Sequence, residues 1–383
     1  MTPVRTGAER LAADPALAGG TRLGLVTNPT GVLPDLTPTP DALLAAGVRL
    51  TAMFGPEHGL HGTAQADGSE GGTVDERTGL PVHDIHKLSG EALDRVVAAS
   101  GVDTLVFDIA DVGTRFYTYV WTMYDLLESA ARLGLRFVVL DRPNPLGGTV
   151  TEGPLLDPAF ASFVGRFPVP VRHGRTAGEL ALLFGFDVDL TVVEMEGWRR
   201  DMTYAETGLP WVMPSVNMPT PDTALVYPGT GLFEGTNFSE GRGTTRPFEL
   251  IGAPYADERF APALAALHLP GVRFREAWFT PTFHKHAGTP VRGVQLHVHD
   301  RDAFRPVLTG LSMLHVARTL YPDDLRLLEF MDDLWGSGTL TRRLEAGEDP
   351  RDLCPPPGHP EGRLLYGGRV QRPTAGSGVC TYE

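Results

Sequence analysis

Through the first two hundred residues, short apolar runs alternate with helix-period stretches and with polar breaks rich in Gly and Pro. Arg22–Thr27, Val48–Phe54, Leu135–Leu140 and Leu190–Glu194 read as strands, and Asp103–Ile109 is the clearest buried one. Val82–His86 adds a short alternating strand. Helices are predicted at Leu11–Ala18, at Asp41–Ala46, behind Ser89, up to about Arg132, and at Thr176–Phe184. Ser89 suits an N-cap, and Thr176 with Glu179 three residues on has the form of a capping box. Strand and helix in alternation favour a parallel sheet with right-handed crossovers.

The pattern then changes. Trp211–Pro228 carries four prolines (Pro214, Pro219, Pro221, Pro228) and is expected to be extended or coiled. Five glycines, two carboxylates and two arginines follow between Gly229 and Arg246, a composition suited to a site loop. Beyond Pro247, Asp257–Leu267 reads as helix, Val272–Trp278 and Val291–His299 as strands, Ala303–Leu320 as a long amphipathic helix and Leu340–Ala346 as a short one. The expected architecture is α/β: a Rossmann-like, mostly parallel sheet with flanking helices over residues 1–250, and a smaller α+β domain over 251–383. From about residue 355 the chain is rich in Pro and Gly and is expected to be irregular.

Composition narrows the function classes. With 383 residues, 42% of them hydrophobic, two domains can each bury a core. The net charge of −14, with no basic run to offset it, makes nucleic acid and anionic membranes poor partners. Cys354 and Cys380 make neither a disulfide framework nor a metal-ligand spacing. His58, His61, His83 and His86 lie near one another in sequence, but without an H-E-x-x-H or comparable spacing no metal site is expected. No phosphate-binding fingerprint is present, so no nucleotide cofactor is expected. The first twenty residues have no apolar signal core, and no apolar run reaches the ~18–20 residues of a membrane span. The expectation is a soluble, cytoplasmic protein.

The chemistry concentrates at strand ends. Phe54-Gly55-Pro56-Glu57-His58-Gly59 stops a strand at Pro and sets a carboxylate beside an imidazole, where ligands bind in α/β sheets. The Gly-rich stretch Pro56–Pro81 behind it is long for a loop without function. A buried Glu57 can serve as a general acid, whereas an ordinary loop glutamate would only accept backbone N–H bonds. Asp108 and Asp111 flank the next strand end beside Arg115, followed by Tyr117, Tyr119, Trp121 and Tyr124. Two carboxylates across a cleft are what glycoside hydrolysis needs, and aromatic rings can stack on a sugar. The plainer alternatives are an Asp–Arg pair, a helix cap and core aromatics. A third strand end, Asp141-Arg142-Pro143-Asn144, can pair an anion or only itself, and the later loop offers Glu234, Asn237, Glu240, Arg242 and Arg246.

These segments, together with Gly24-Leu25-Val26-Thr27-Asn28-Pro29-Thr30-Gly31 and Asn144-Pro145-Leu146-Gly147-Gly148, resemble the NamZ-type exo-β-N-acetylmuramidases of glycoside hydrolase family 171, formerly a domain of unknown function. Five blocks in one order, spread over roughly residues 20–345, carry the resemblance. It implies removal of N-acetylmuramic acid from the non-reducing end of peptidoglycan fragments, in cell-wall turnover or recycling, on a Rossmann-like domain followed by a smaller one. It also implies a catalytic role for Glu57. On this reading Glu57, Asp108 and Asp111 are catalytic, and Asn28, His58, Arg115, Tyr117, Arg142, Asn144, Glu234, Asn237, Glu240 and Arg242 line the site. An arginine, Arg115, Arg242 or Arg246, would pair with the lactyl carboxylate that distinguishes muramic acid from glucosamine. The partner is a small saccharide. Rival readings are a non-catalytic muropeptide or sugar-binding protein and a carboxylate-dependent esterase or amidase. The chain has no G-x-S-x-G elbow for a serine esterase.

Overall fold

A computed structural model describes residues 4–367, so Cys380 and the last part of the expected irregular tail lie outside the described residues. Its strands are β1 (Leu23–Thr27), β2 (Leu50–Gly55), β3 (Thr73–Val74), β4 (Pro81–Asp84), β5 (Thr104–Asp108), β6 (Arg136–Leu140), β7 (Glu152–Leu155), β8 (Pro170–Arg172), β9 (Asp189–Val193), β10 (Leu250–Ala253), β11 (Val272–Phe279) and β12 (Val291–Val298). Its helices are α1 (Gly7–Ala13), α2 (Thr39–Ala45), α3 (Gly90–Ser100), α4 (Tyr119–Leu133), α5 (Ala177–Phe184), α6 (Pro221–Thr230), α7 (Phe260–Ala265), α8 (Pro306–Leu320), α9 (Phe330–Trp335) and α10 (Thr339–Glu345).

Seven strands form the main sheet in the order β3-β4-β2-β1-β5-β6-β9, parallel except for the edge strand β3. Because side chains alternate between faces, each central strand feeds two cores. Val26, Phe54, Leu105, Phe107, Phe137 and Val139 join the larger cluster, which includes residues of α3, α4 and α5. Leu25, Met53, Val106, Val138 and Leu140 join a second cluster with Ala8 and Leu11 of α1 and Leu43 of α2. The Thr176–Glu179 capping box forms as expected at the start of α5. Ser89 occupies the N-cap position of α3, but its side chain makes no capping bond.

A smaller antiparallel sheet, β10-β12-β11, packs with α6, α7 and α8 in the later half. The mostly parallel Rossmann-like sheet with flanking helices and the smaller mixed unit after it match the expected fold class. The larger hydrophobic cluster runs without interruption from Phe107 through Tyr227 to Leu314, so one core joins the two sheets. Helices α6 and α8 meet where Gly229 faces Gly310. A Cβ added at Gly229 would lie 1.9 Å from the Pro306 carbonyl oxygen, and one at Gly310 would lie 2.3 Å from the Gly229 carbonyl oxygen. That close approach fixes the start of the segment leading to Arg242.

One expectation is corrected here: residues 221–230 are helical, not extended. Thr220 caps the helix by accepting from the Thr223 N–H, and Pro221 sits in the first turn, where its missing N–H costs nothing. Pro228 falls near the other end. Proline count alone therefore misled, because position decides what a proline does. The β7–β8 hairpin and α9 were not anticipated from the sequence.

Candidate active site

Chain reversal at the carboxyl ends of β1, β2, β5 and β6 delivers four polar loops to one edge of the sheet. Beyond β2 the chain turns at Pro56, and Glu57 is buried with 9% of its surface exposed. Its Oε2 accepts from the Thr118 hydroxyl at 2.6 Å, and its Oε1 accepts from the Asp67 N–H at 2.8 Å. His58 adopts a left-handed backbone conformation (φ 69°), uncommon for a residue with a side chain. Its ring Nδ1 lies 2.8 Å from the Ala64 carbonyl, and its N–H donates to the Gly68 carbonyl at 2.9 Å.

Glu57 borders a cavity of about 490 Å³, of the size usual for small-molecule sites. Tyr117, Tyr119 and Tyr227 stand beside it, with Tyr117 edge-on to the other two rings at 5.1 and 5.9 Å. Burial pushes all three phenols above their usual range, and the Glu57 charge adds to that push. The Tyr119 hydroxyl donates to the Pro214 carbonyl at 2.6 Å and the Tyr117 hydroxyl is buried, so these two rings shape the wall of the cavity.

The later half supplies a wall of charge. Arg242 donates through Nη2 to Glu234 Oε2 at 2.9 Å, lies 3.3 Å from Glu240 Oε1 through Nε, and sits 5.0 Å over the Phe248 ring. Its Nη1 makes no hydrogen bond among the described residues. Lys285 donates to Glu240 Oε2 at 2.9 Å and to the Phe233 carbonyl at 2.9 Å, and His284 Nδ1 lies 3.1 Å from Glu240 Oε1. Burial opposes ionisation of Glu240. The His284 contact and the Lys285 and Arg242 charges nevertheless hold it below the usual carboxylate range. Burial also works against the Arg242 charge, but Glu234 and Glu240 outweigh it and keep the guanidinium firmly protonated.

Of the residues singled out from sequence, Glu57, His58, Tyr117, Glu234 and Arg242 meet in this cavity. Others are placed elsewhere. Asp108 is fully buried and receives both Nε and Nη2 of Arg142, at 2.7 and 2.9 Å. Asp111 Oδ2 accepts from the Gly113 N–H at 2.7 Å and lies 3.1 Å from His173 Nε2, in a separate recess between the β1 and β5 ends. The expectation that a carboxylate from the end of β5 faces Glu57 is therefore corrected: neither aspartate borders the cavity.

Arg115 is corrected as well. Its guanidinium is wholly buried and donates to the carbonyls of Pro154, Val169, Leu334 and Trp335, at 2.8, 2.9, 3.2 and 2.7 Å. With no carboxylate nearby, burial pulls its pKa down to about 9. It ties the β7–β8 hairpin to α9 and offers nothing to a ligand. Asn28, Asn144 and Asn237 likewise spend their amides on loops, bonding Thr30 and Pro214, Leu146 and Arg175, and Asp324, Tyr255 and Arg326 respectively. Glu240 acts behind Arg242 as its buried counter-charge. Arg246 is half exposed and pairs with Glu249.

Several lining residues went unrecognised in the sequence: Lys87, Phe163, Ser215, Asn217, Tyr227, Phe283, His284 and Lys285. The run Phe283-His284-Lys285-His286, lying between two predicted strands, was the available signal. Among the described residues no group of three or more His, Cys, Asp or Glu side chains could hold a metal ion. No helix among them is long and apolar enough to cross a membrane.

Comparison with known proteins gives one consistent family. Residues 23–222 match the N-terminal domain of the exo-β-N-acetylmuramidase NamZ, and residues 225–355 match its C-terminal domain. The peptidoglycan β-N-acetylmuramidase NamZ of Bacillus subtilis is 50% identical over 359 residues, covering 91% of this chain and 86% of that protein. Two crystal structures of DUF1343 family proteins from Bacteroides fragilis share the fold. One has a TM-score of 0.83 at 34% identity, covering 92% of this chain and 95% of that one. The other has a TM-score of 0.73 at 29% identity, covering 92% and 93%. With Glu57 buried at a strand end of a Rossmann-like sheet and both halves matched in order, the chain belongs to the NamZ family of exo-β-N-acetylmuramidases.

Proposed function

We propose that this chain removes terminal N-acetylmuramic acid from peptidoglycan fragments, with Glu57 as general acid and Arg242 as the group that recognises the lactyl carboxylate. The activity follows from family membership: the chain is a glycosidase, an exo-β-N-acetylmuramidase acting on peptidoglycan-derived substrate. The observation that carries the residue assignment is that one cavity is lined both by a buried glutamate and by an arginine whose Nη1 makes no hydrogen bond among the described residues.

In the proposed reaction the glycosidic oxygen takes the electron pair of the breaking C1–O bond and the proton of Glu57. The Asp67 amide and Thr118 hydroxyl stabilise the carboxylate that remains. Water then adds at C1, and the proton it loses returns to Glu57. Glu234 is committed to Arg242, Asp67 pairs with Lys87, and neither Asp108 nor Asp111 borders the cavity. This arrangement favours the substrate's own acetamido oxygen as the group that supports the oxocarbenium-like centre, as in other substrate-assisted glycosidases. A role in cell-wall turnover or recycling is part of the same proposal.

The test compares wild type with Glu57→Gln on a chromogenic β-N-acetylmuramide and the matching β-N-acetylglucosaminide. The glutamine oxygen can still accept from the Asp67 N–H while its NH2 donates to the Thr118 hydroxyl oxygen, but it has no proton to give to the leaving group, so kcat on the muramide should fall by about 10²–10⁴. A fully active Glu57→Gln variant, or a wild type that releases nothing from either substrate, refutes the assignment.

A further inference from the structure

A second cavity, of about 430 Å³, lies in the later half and shares no lining residue with the one beside Glu57. Val226 and Glu249 line it, whereas the adjacent Tyr227 and Phe248 line the main cavity. Its charges are incompletely matched. Arg246 pairs with Glu249, whose other oxygen accepts from the Thr223 hydroxyl at 2.7 Å. Arg301 spends only Nη2, on the Pro145 carbonyl, and no carboxylate accepts from it among the described residues. Its Nε and Nη1 are unbonded there and keep access to solvent. Burial pulls the Arg301 pKa down, and the Asp302, Asp222 and Glu206 charges offset that only in part. The exposed Asp222 carboxylate, on the same cavity, also accepts no hydrogen bond among the described residues.

The cavity also follows a bare strand edge. β10 stops pairing with β12 where Leu250 meets Gln295, and one more bond runs from the Leu296 N–H to the Glu249 carbonyl at 3.0 Å. On the other side β11 pairs with β12 as far as Val272 opposite Val298. Backbone groups two residues apart point the same way, so Val298 turns its N–H and C=O toward the side that β10 has left.

We propose that this cavity binds a short zwitterionic peptide, with its carboxylate on Arg301, its amine on Asp222 and its main chain along the Val298 edge of β12. Unpaired strand edges take up extended peptides in this way, and the flanking side chains select among them. A carboxylate and an amine supply the two charges that the cavity leaves unmatched, which a neutral sugar cannot do. Peptidoglycan joins its glycan to short peptides bearing such groups, and the choice of that peptide as occupant rests on the reading of this chain as an enzyme of peptidoglycan fragments. The site would hold a fragment by its peptide, apart from the bond being cleaved.

Isothermal titration of the full chain with the tripeptide L-alanyl-γ-D-glutamyl-meso-diaminopimelate tests this, with inorganic phosphate and free N-acetylmuramic acid as comparison ligands. The tripeptide should bind saturably and should not be displaced by N-acetylmuramic acid, which belongs to the main cavity. Arg301→Met should weaken binding about ten- to a hundredfold. Asp222→Asn, at an exposed position, should weaken it about threefold or more. Thermal melts establish that each variant folds, and Asp222→Asn decides the matter if Arg301→Met does not fold. The proposal is overturned by the lack of saturable binding up to about 10 mM tripeptide, or by unchanged affinity in the folded variants. Displacement by N-acetylmuramic acid overturns it too, as does phosphate binding as tightly as the tripeptide, the mark of a plain anion site. None of these results touches the glycosidase reading, which stands or falls on the chromogenic muramide.

Discussion

Replacing Arg242 with Met tests how muramic acid is told from glucosamine. The two sugars differ by the lactyl ether, whose carboxylate is the one charge an enzyme can use to separate them. Arg242 donates only through Nη2, to Glu234; its Nε lies 3.3 Å from Glu240 Oε1 without a hydrogen bond, and Nη1 is likewise unbonded among the described residues. A hydrogen bond to a charged group contributes about 1.5–3 kcal/mol, so losing the pairing should cost the muramide about ten- to a hundredfold in kcat/KM. The glucosaminide has no carboxylate to lose and pays nothing on this account.

The substitution also disturbs the wall. Glu234 and Glu240 lose a cation, and the contact with the Phe248 ring disappears. Those losses lower both substrates alike, so the muramide-to-glucosaminide ratio, measured with chromogenic substrates below saturation, separates recognition from damage. Arg242→Lys keeps the charge without the planar fork and should fall between wild type and Met. A ratio within about threefold of wild type for Arg242→Met, with both substrates still turned over, would refute the assignment.

Arg115→Met should destabilise the fold by about 3 kcal/mol or more, because four buried carbonyls lose their donor. Urea unfolding measures this, and a loss below about 1 kcal/mol would show that the clamp is dispensable. Gly59→Ala should lower kcat more than it lowers Tm. Gly59 has φ 84°, and its new Cβ would lie 2.3 Å from Cγ of Glu70, whose carboxylate accepts from the His61 and Thr63 N–H groups. Equal kcat in the variant would show that Glu57 does not depend on that packing. Burial raises Asp125 to about 6, so the folded state resists its ionisation. Stability from this group is intact below the unfolded pKa near 3.8 and is lost as pH rises through about 6, a change of up to about 3 kcal/mol. Unfolding midpoints of wild type and Asp125→Asn, followed from pH 4 to 7, should diverge in favour of the variant as pH rises. Parallel curves would refute the shift.

The central sheet was legible because its signal is local. Runs such as Thr104–Asp108 are apolar on both faces, and polar Gly/Pro loops punctuate them. Glu57 was legible for the same reason, as a carboxylate just past the end of a strand. Roles that depend on which side chain faces which were not. Asp108 and Arg142 look like two separate strand-end candidates, and only the pairing of neighbouring strands reveals that they satisfy each other. Arg115 sits in a polar block beside two aspartates, yet its four partners come from as far away as Trp335. Lys285 and His284 stand out in sequence only as a polar run between two strands, and their role comes from Glu240, some forty residues earlier, beside which the β11–β12 loop folds.

The length of the loop behind Glu57 has a physical reason. A glutamate one residue beyond a strand-ending proline has no local donor to orient it, and an unoriented carboxylate would not hold its proton toward one bond. The chain travels from His58 to Asp67 and returns, so that the Asp67 N–H can meet Glu57 Oε1. The loop carries its own braces: the left-handed turn at His58, the His58 ring on the Ala64 carbonyl, and the Glu70 carboxylate holding the His61 and Thr63 amides. The other oxygen is held from a different element by Thr118, just ahead of α4. Glu57 is thus fixed between a loop that folds on itself and the entry to a core helix. Changes in either should act on kcat before they act on stability.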